Sequence, residues 1–187
     1  SRQAPDLLSL LDYEDTSDPL VRRFGNPGLR DTRTHHTSFR YHVLEGKEYK
    51  YNVSIEVHHR IWLDAVAQGM TYNAQTGVRT YRPENVNGNW ELTSSIYMMH
   101  KFGRVQKLQY WLNADLRTIA NYRNNVDLIS LDGMSSSVRS SVRTLAWTER
   151  AGLWGSYNNW GYGIYGKVTL NHSTGNYINR TDVYDYS

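Results

Sequence analysis

The sequence contains no cysteine, only four prolines and no long hydrophobic run. Without cysteine, the chain has neither a disulfide framework nor a thiolate metal site. Without about 18 consecutive apolar residues, it has no transmembrane helix. Its net charge of +3 is spread along the chain, which argues against nucleic-acid binding. None of these absences excludes a membrane protein that crosses the bilayer with alternating strands.

Aromatic residues are abundant in a chain that is otherwise polar. The sequence has 15 tyrosines, six tryptophans and three phenylalanines, yet only 39% of its residues are hydrophobic. Disordered chains are poor in aromatic residues. A polar chain rich in aromatics is instead typical of β-structure with one solvated face.

Apolar and polar residues alternate over long stretches after a strong turn signal, the "GNPG" of residues 25–28. The clearest strand is "YKYNVSIEVHHR", residues 49–60. One face of this strand is apolar, with Tyr49, Tyr51, Val53, Ile55 and Val57. The other face is polar, with Lys50, Asn52, Ser54, Glu56 and His58. Residues 108–116 repeat this pattern, so the sequence predicts long strands with two different faces.

The predicted connections alternate between short and long. Short turns are predicted at 45–48, 103–104 and 155–159, and long links at 61–90, 122–136 and 171–181. Short inner turns, long outer loops and alternating strands are typical of outer-membrane barrels. A soluble antiparallel sheet packed on a core explains the alternation but favours strands of about 5–6 residues. The fold class is therefore predicted to be all-β, an antiparallel meander of long strands that forms part of a transmembrane β-barrel.

The first 42 residues carry a family resemblance. Ser1-Arg2 with Pro5, Asp18-Pro19-Leu20 and the Gly25–Leu29 turn form a series of motifs before a long strand. This series resembles a recurrent segment in the barrels of TonB-dependent receptors, a family of outer-membrane nutrient importers. The stretch "AQGMTYNAQTGVRTYRPENVNG" is similar to the family's long outer hairpin. Arg30-Asp31-Thr32 departs from the Lys-Pro-Glu that often follows the turn.

The resemblance implies one barrel segment over residues 1–187 in the bacterial outer membrane. Residues 1–31 are then an outer loop, and residues 32–187 form about six long strands. Complete barrels have about 8 strands or more, so a fragment is expected. Its expected partners are outer-membrane lipid, a missing plug domain and, through that plug, TonB. The two unpaired edges predict edge-to-edge self-association of the isolated piece.

No catalytic motif is recognisable, so no enzyme activity, cofactor or metal site is predicted. The pairs His35-His36 and His58-His59 place adjacent side chains on opposite faces of a strand and cannot chelate one metal directly. The lumen-facing candidates for ligand binding are Arg40, His58 and Arg117. Trp62 and Trp90 are outer-loop candidates for stacking on sugars, although an anchoring role at the membrane interface is favoured for them, as for Trp154 and Trp160.

Two functional hypotheses follow. The first is a segment of an outer-membrane receptor or transporter barrel that takes up a nutrient. It predicts that Tyr51, Val53, Ile55, Leu112 and Leu116 face lipid. The second is a soluble extracellular β-sheet module that binds glycans through exposed Trp and Tyr.

Overall fold

The computed structural model describes residues 1–46, 50–105, 110–130, 138–157, 160–175 and 179–186. Nearly all of these residues lie in strands, which we number in chain order. The elements are β1 (Arg2–Gln3), α1 (Leu7–Leu10), β2 (Glu14–Asp18), β3 (Val21–Phe24), β4 (Thr32–Glu45), β5 (Tyr51–Leu63), β6 (Ala65–Tyr72), β7 (Arg79–Val86), β8 (Asn89–Val105), β9 (Tyr110–Ser130), β10 (Val138–Tyr157), β11 (Trp160–Gly175) and β12 (Asn179–Tyr186). Among these residues, no helix is long and apolar enough to cross a bilayer.

Seven strands form one antiparallel surface, which we call the wall. Its order is β4, β5, β8, β9, β10, β11 and β12, each paired with the next. The first six of these strands contain 13 to 21 residues. That length exceeds the usual strand of a soluble sheet and suffices to cross a bilayer.

The wall has an apolar face and a polar face, because cross-strand partners point to the same side. Tyr41, Ile55 and Ile96 are partners in one row of the apolar face. Large hydrophobic side chains of this face are exposed: Phe39, Tyr41, Tyr51, Leu92, Ile96, Met98, Phe102, Leu116, Trp147, Leu153, Tyr157, Trp160, Tyr162, Ile164 and Val168. Three others, Leu44, Trp154 and Tyr165, are exposed on the polar face.

No hydrophobic core lies behind the wall in the described part of the chain. Among the described residues, the buried hydrophobic cluster comprises Ala65, Ala67, Val86 and Val126, with Trp62 packed against it. An apolar surface of this extent without a covering layer is unstable in water. The wall is therefore part of a transmembrane β-barrel that turns its apolar face to lipid, as the alternation predicted.

Glu149 is an exception on the apolar face. Its cross-strand partners are Thr118 and Val168. The Thr118 hydroxyl donates a hydrogen bond to one carboxylate oxygen at 2.8 Å, and the Trp147 indole donates to the other at 3.0 Å. These bonds provide partners for a carboxylate that would be costly to expose to hydrocarbon.

Several strands are longer than the sequence predicted. Strand β8 runs through the predicted turn at 103–104 and ends at Val105. Strand β9 continues to Ser130, so much of the predicted 122–136 loop is strand. Strand β11 ends at Gly175 and β12 begins at Asn179, which leaves little of the predicted 171–181 link. The strand ends are polar on both faces because they extend beyond the membrane. The alternation that predicts a strand is therefore missing there.

Two of the predicted short turns fall partly outside the described residues. Gly46, with a φ of 88°, begins the connection after β4, and residues 47–49 are not described. Strand β10 extends to Tyr157, and residues 158–159 are not described.

The first 31 residues contain more regular structure than the predicted outer loop. Besides helix α1, they hold β1, which pairs with β4, and the β2–β3 pair. Strand β3 runs parallel to β7. The hairpin β6–β7 turns at residues 73–77, as predicted, and β6 also pairs with the end of β9. The N-terminal segment and the hairpin therefore form one small sheet at the end of the wall.

The Gly-Asn-Pro-Gly turn joins the N-terminal segment to this hairpin. The Asn26 amide donates a hydrogen bond to the Pro83 carbonyl at 2.9 Å. The Asn26 side-chain oxygen accepts one from the Gly28 N–H at 3.0 Å. Gly25 is buried so tightly that an added Cβ would lie 1.8 Å from the Leu11 carbonyl oxygen. The Gly-Asn-Pro-Gly turn that precedes β4 is thus a tightly packed junction.

Candidate functional site

The polar face carries ordered ion pairs across β4 and β5. Arg40 Nε lies 2.7 Å from one Glu56 oxygen, and His58 Nε2 lies 3.7 Å from the other. The His58 ring stacks on His36, with 5.6 Å between ring centroids. Arg40 and His58, both predicted to face the lumen, therefore share one carboxylate on the polar face.

A second polar cluster spans β5, β8 and β9. Arg60 Nη1 lies 3.3 Å from Glu91. The Asn121 amide donates to Glu91 at 2.7 Å and to the Thr93 hydroxyl at 2.9 Å. The Arg60 guanidinium also lies 5.6 Å from the centre of the Trp62 ring. Arg40 in the first cluster and Arg60 in the second therefore each have a carboxylate partner.

The third cluster lies on β8 to β11 and contains Arg117. Arg117 pairs across the strands with Tyr97 and Arg150, and Arg150 pairs with Lys167. We call Arg117, Arg150 and Lys167 the cation row. Asp115, on the same face two residues from Arg117, accepts a hydrogen bond from the Trp154 indole at 2.9 Å. Asp115 and Arg117 form no ion pair with each other among the described residues.

Trp154 lies flat on the polar face because two glycines leave room for it. A Cβ at Gly163 would lie 2.3 Å from the Trp154 ring, and one at Gly152 would lie 2.9 Å from its indole nitrogen. The ring stacks on Tyr165 with 6.3 Å between centroids. The Arg150 guanidinium lies 5.0 Å from the centre of the Tyr165 ring. The favoured interface-anchor interpretation is therefore wrong for Trp154, which faces the polar side.

The two other tryptophan candidates do not share a site. Trp62 pairs with Asn89 on the polar side of β8, whereas Trp90 pairs with Ile61 on the apolar side. Trp90 makes an edge-to-face contact with Tyr122, with 5.1 Å between centroids. Trp62 lines a shallow depression with His36 and Arg60. One sugar ring cannot contact both tryptophans, because the wall separates them.

A buried carboxylate, Asp64, closes the corner between β5 and β6. It is 3% exposed and adopts a φ of 54°. Its two carboxylate oxygens lie 3.0 Å from Arg30 Nη2 and 2.6 Å from Arg33 Nη2. Its carbonyl accepts hydrogen bonds from Thr32 and Asn85. Asp64 therefore connects the wall to both the hairpin and the turn region.

A further acidic side chain, that of Asp15, makes a local hydrogen bond. Asp15, in β2, accepts a hydrogen bond from the Ser17 N–H at 3.0 Å, which lowers the pKa of that carboxyl. The described residues contain no group of three or more His, Asp or Glu side chains that could hold a metal ion.

Sequence reasoning missed Arg150, Tyr165, Trp154 and Lys167 as members of one polar cluster. The strand that holds Arg150 showed no clean alternation, so its faces could not be assigned from sequence alone. The available signal was the glycine-rich "GYGIYG" of β11. Glycines in a strand leave room for a neighbour to approach closely, and at Gly163 that neighbour is the Trp154 ring.

The long antiparallel wall, its exposed apolar face and its charged polar face define a transmembrane β-barrel protein. The family profile agrees: the chain belongs to the outer membrane protein beta-barrel family, whose profile matches residues 1–177. The protein is accordingly placed in the bacterial outer membrane. No curated protein and no solved structure matches the chain. This family match supports an outer-membrane β-barrel and does not specify the TonB-dependent receptor type that the motifs resemble.

Proposed function

We propose that the chain is part of an outer-membrane receptor barrel that takes up a nutrient, of the TonB-dependent type. The charged polar face is the observation that carries the proposal. On the side away from lipid, Arg40 forms an ion pair with Glu56, which also lies beside His58, and Arg60 forms a separate ion pair with Glu91. Ionisable side chains inside a membrane protein mark paths for polar substrates. The proposed role is non-enzymatic.

The sheet at the end of the wall supports the same role. Residues of the N-terminal segment, the β6–β7 hairpin and β9 meet there through Asp64 and Asn26. Loops held by a rigid barrel are a common place for ligand contact. The motifs of residues 1–102 that resemble TonB-dependent receptors add the proposed partners, a plug domain and TonB. Edge-to-edge association is proposed for the isolated chain.

The soluble glycan-binding module is not favoured. It requires the apolar residues to pack on a protein core, whereas 15 large hydrophobic residues of the apolar face are exposed in the part of the chain that the structure describes. It also gains nothing from Trp62 and Trp90, because the two lie on opposite faces of the wall.

The uptake proposal is tested by comparing cells with and without the gene for this chain. We expect at least one compound to disappear from the medium only when the gene is present, and a protonophore to stop its depletion. Identical depletion by both strains would overturn the uptake role. Depletion that persists with the protonophore would overturn the TonB-dependent type and leave a passive barrel.

A matched pair of variants connects uptake to the polar face. Arg117→Gln removes a charge from the polar face, and Arg143→Gln removes the same charge from the apolar face of the same wall. We expect only Arg117→Gln to slow uptake, with both proteins present at equal levels in the outer membrane. Equal uptake by both variants would contradict a transport path along the polar face at Arg117.

A further inference from the structure

Three cationic residues stand side by side on the polar face of the wall. Arg117 and Arg150 are cross-strand partners, and Arg150 and Lys167 are partners on the next strand pair. Directly opposed side chains in an antiparallel sheet have Cβ atoms about 4.5–5.5 Å apart. Like charges at this separation destabilise a sheet unless an anion lies between them.

Within the part of the chain that the structure describes, no carboxylate forms an ion pair with either arginine of the row. The carboxylate in the next row, Asp115, is hydrogen-bonded to the Trp154 indole. Arg150 Nε is also buried without a hydrogen-bond partner. A buried donor without an acceptor costs free energy, which an incoming acceptor would recover.

The arginine at the centre of the row is held in place by aromatic rings. The Arg150 guanidinium lies 5.0 Å from the centre of the Tyr165 ring, which in turn stacks on Trp154. Stacking restrains the guanidinium before any ligand arrives and leaves its N–H donors free. A restrained guanidinium matches the paired oxygens of a phosphate or a carboxylate.

We infer that the cation row is a binding site for an oxyanion, a phosphate or carboxylate group, inside the barrel. The two arginines donate directional hydrogen bonds, and Lys167 adds a compact positive charge. If the cation row is a subsite for the transported nutrient, it selects anionic nutrients. That part of the inference rests on the proposed uptake function. The test of the binding site requires only the folded chain and is independent of transport.

The experiment measures inorganic phosphate binding to the full chain in lipid vesicles at low salt. Trp154 reports on the site, because its indole lies in the same cluster as Arg150 and Tyr165. The difference in fluorescence between the wild-type chain and Trp154→Phe isolates the Trp154 signal. We expect iodide to quench this signal more strongly than caesium does, and phosphate to protect it from iodide.

The decisive variant is the triple substitution Arg117→Gln, Arg150→Gln and Lys167→Gln. We expect at least a tenfold loss of phosphate affinity. The matched control removes three charges from exposed residues of β3 and β7, through Arg23→Gln, Arg79→Gln and Arg82→Gln, and should bind phosphate as the wild type does. Equal affinity in the wild type and the triple variant would overturn the inference. So would an equal loss in the control, because net charge alone would then explain binding.

A conservative variant keeps the test decisive if the triple variant does not fold. Arg150→Lys keeps the charge but lacks the planar fork, and we expect about threefold to tenfold weaker phosphate binding. Unchanged affinity would overturn the role of Arg150. Phosphate binding without differential uptake would contradict the uptake function and retain the site. Uptake without phosphate binding would contradict the site and retain the uptake function.

Discussion

Arginine side chains gather both at the Asp64 corner and in the cation row, but among the described residues only the arginines of the corner form ion pairs. At the corner, Arg30 and Arg33 contact the two oxygens of one buried carboxylate. In the row, Arg117 and Arg150 have no ion pair among the described residues, and the nearby Asp115 is bound to Trp154. The corner is complete without a ligand, whereas the row has donors for one.

The difference separates structural charge from functional charge. At the corner, one carboxylate within reach of two guanidinium groups fixes three chain segments. Because these charges are already paired, they do not attract a ligand. Unmatched cations raise the local potential and attract anions. Substitutions at the corner, in the row and beside them test whether the two regions differ in this way.

Asp64→Asn should lower the free energy of unfolding by about 2 kcal/mol. The substitution leaves two guanidinium groups without their anion at a buried position, while Asn still tolerates the positive φ. Urea unfolding of the chain in lipid vesicles measures the change. Asp31→Asn, at an exposed residue of the same corner, should change it by less than about 0.5 kcal/mol. Equal effects of the two substitutions would show that the corner does not depend on its internal anion.

Gly163→Ala should destabilise the wall by about 1–2 kcal/mol. The new Cβ would lie 2.3 Å from the Trp154 ring and would displace the aromatic support of Arg150. Gly161→Ala is the matched control on the same strand, because nothing lies within 4 Å of its added Cβ. The measurements are the unfolding midpoint and phosphate affinity. An equal cost for both alanines would contradict the role of the glycine gap.

Arg40→Glu should lower the free energy of unfolding by about 1 kcal/mol. It replaces the 2.7 Å ion pair with Glu56 by two facing carboxylates. Thermal unfolding at low and high salt gives the electrostatic part, which should shrink as salt rises. Arg40→Gln should show roughly half the effect, because it removes the pair without adding repulsion. No difference between the Glu and Gln variants would show that Glu56 is too well solvated to matter.

Arg117→Glu should have the opposite sign and raise the free energy of unfolding by about 0.5 kcal/mol. The substitution places an internal anion beside Arg150 and makes the row resemble the corner. Phosphate should then no longer stabilise the chain, which a titration followed by thermal unfolding detects. A loss of stability would mean that the wild-type row is not strained by repulsion. Retained stabilisation by phosphate would place its binding elsewhere.

The alternation of polar and apolar residues predicted the central parts of the wall strands but not the ends of those strands. The apolar positions of β5 and β9 were assigned correctly, because polar and apolar residues strictly alternate where lipid covers one face. The ends of β9 and β11 were taken for loops, because both faces become polar beyond the membrane. Strands β2 and β3 were missed because each is short and depends on its neighbours.

The candidate residues show the same division. Arg40, His58 and Arg117 were placed on the polar face from their positions in alternating strands, and the structure has all three there. Their ion-pair partners could not be assigned, because partners depend on register between strands. Trp154 was misinterpreted because its direction depends on which face of β10 is polar. That face is recognisable only once β9 and β11 are paired on either side.

By itself the sequence determined the two-faced strands and the outer-membrane location, because local alternation directly records which side of a strand meets lipid. Only the tertiary structure decided which charges are neutralised. Strand register brought two arginines onto Asp64 and placed Arg117, Arg150 and Lys167 side by side. Charge pairing acts over a few ångströms between residues distant in sequence, so no local pattern records it.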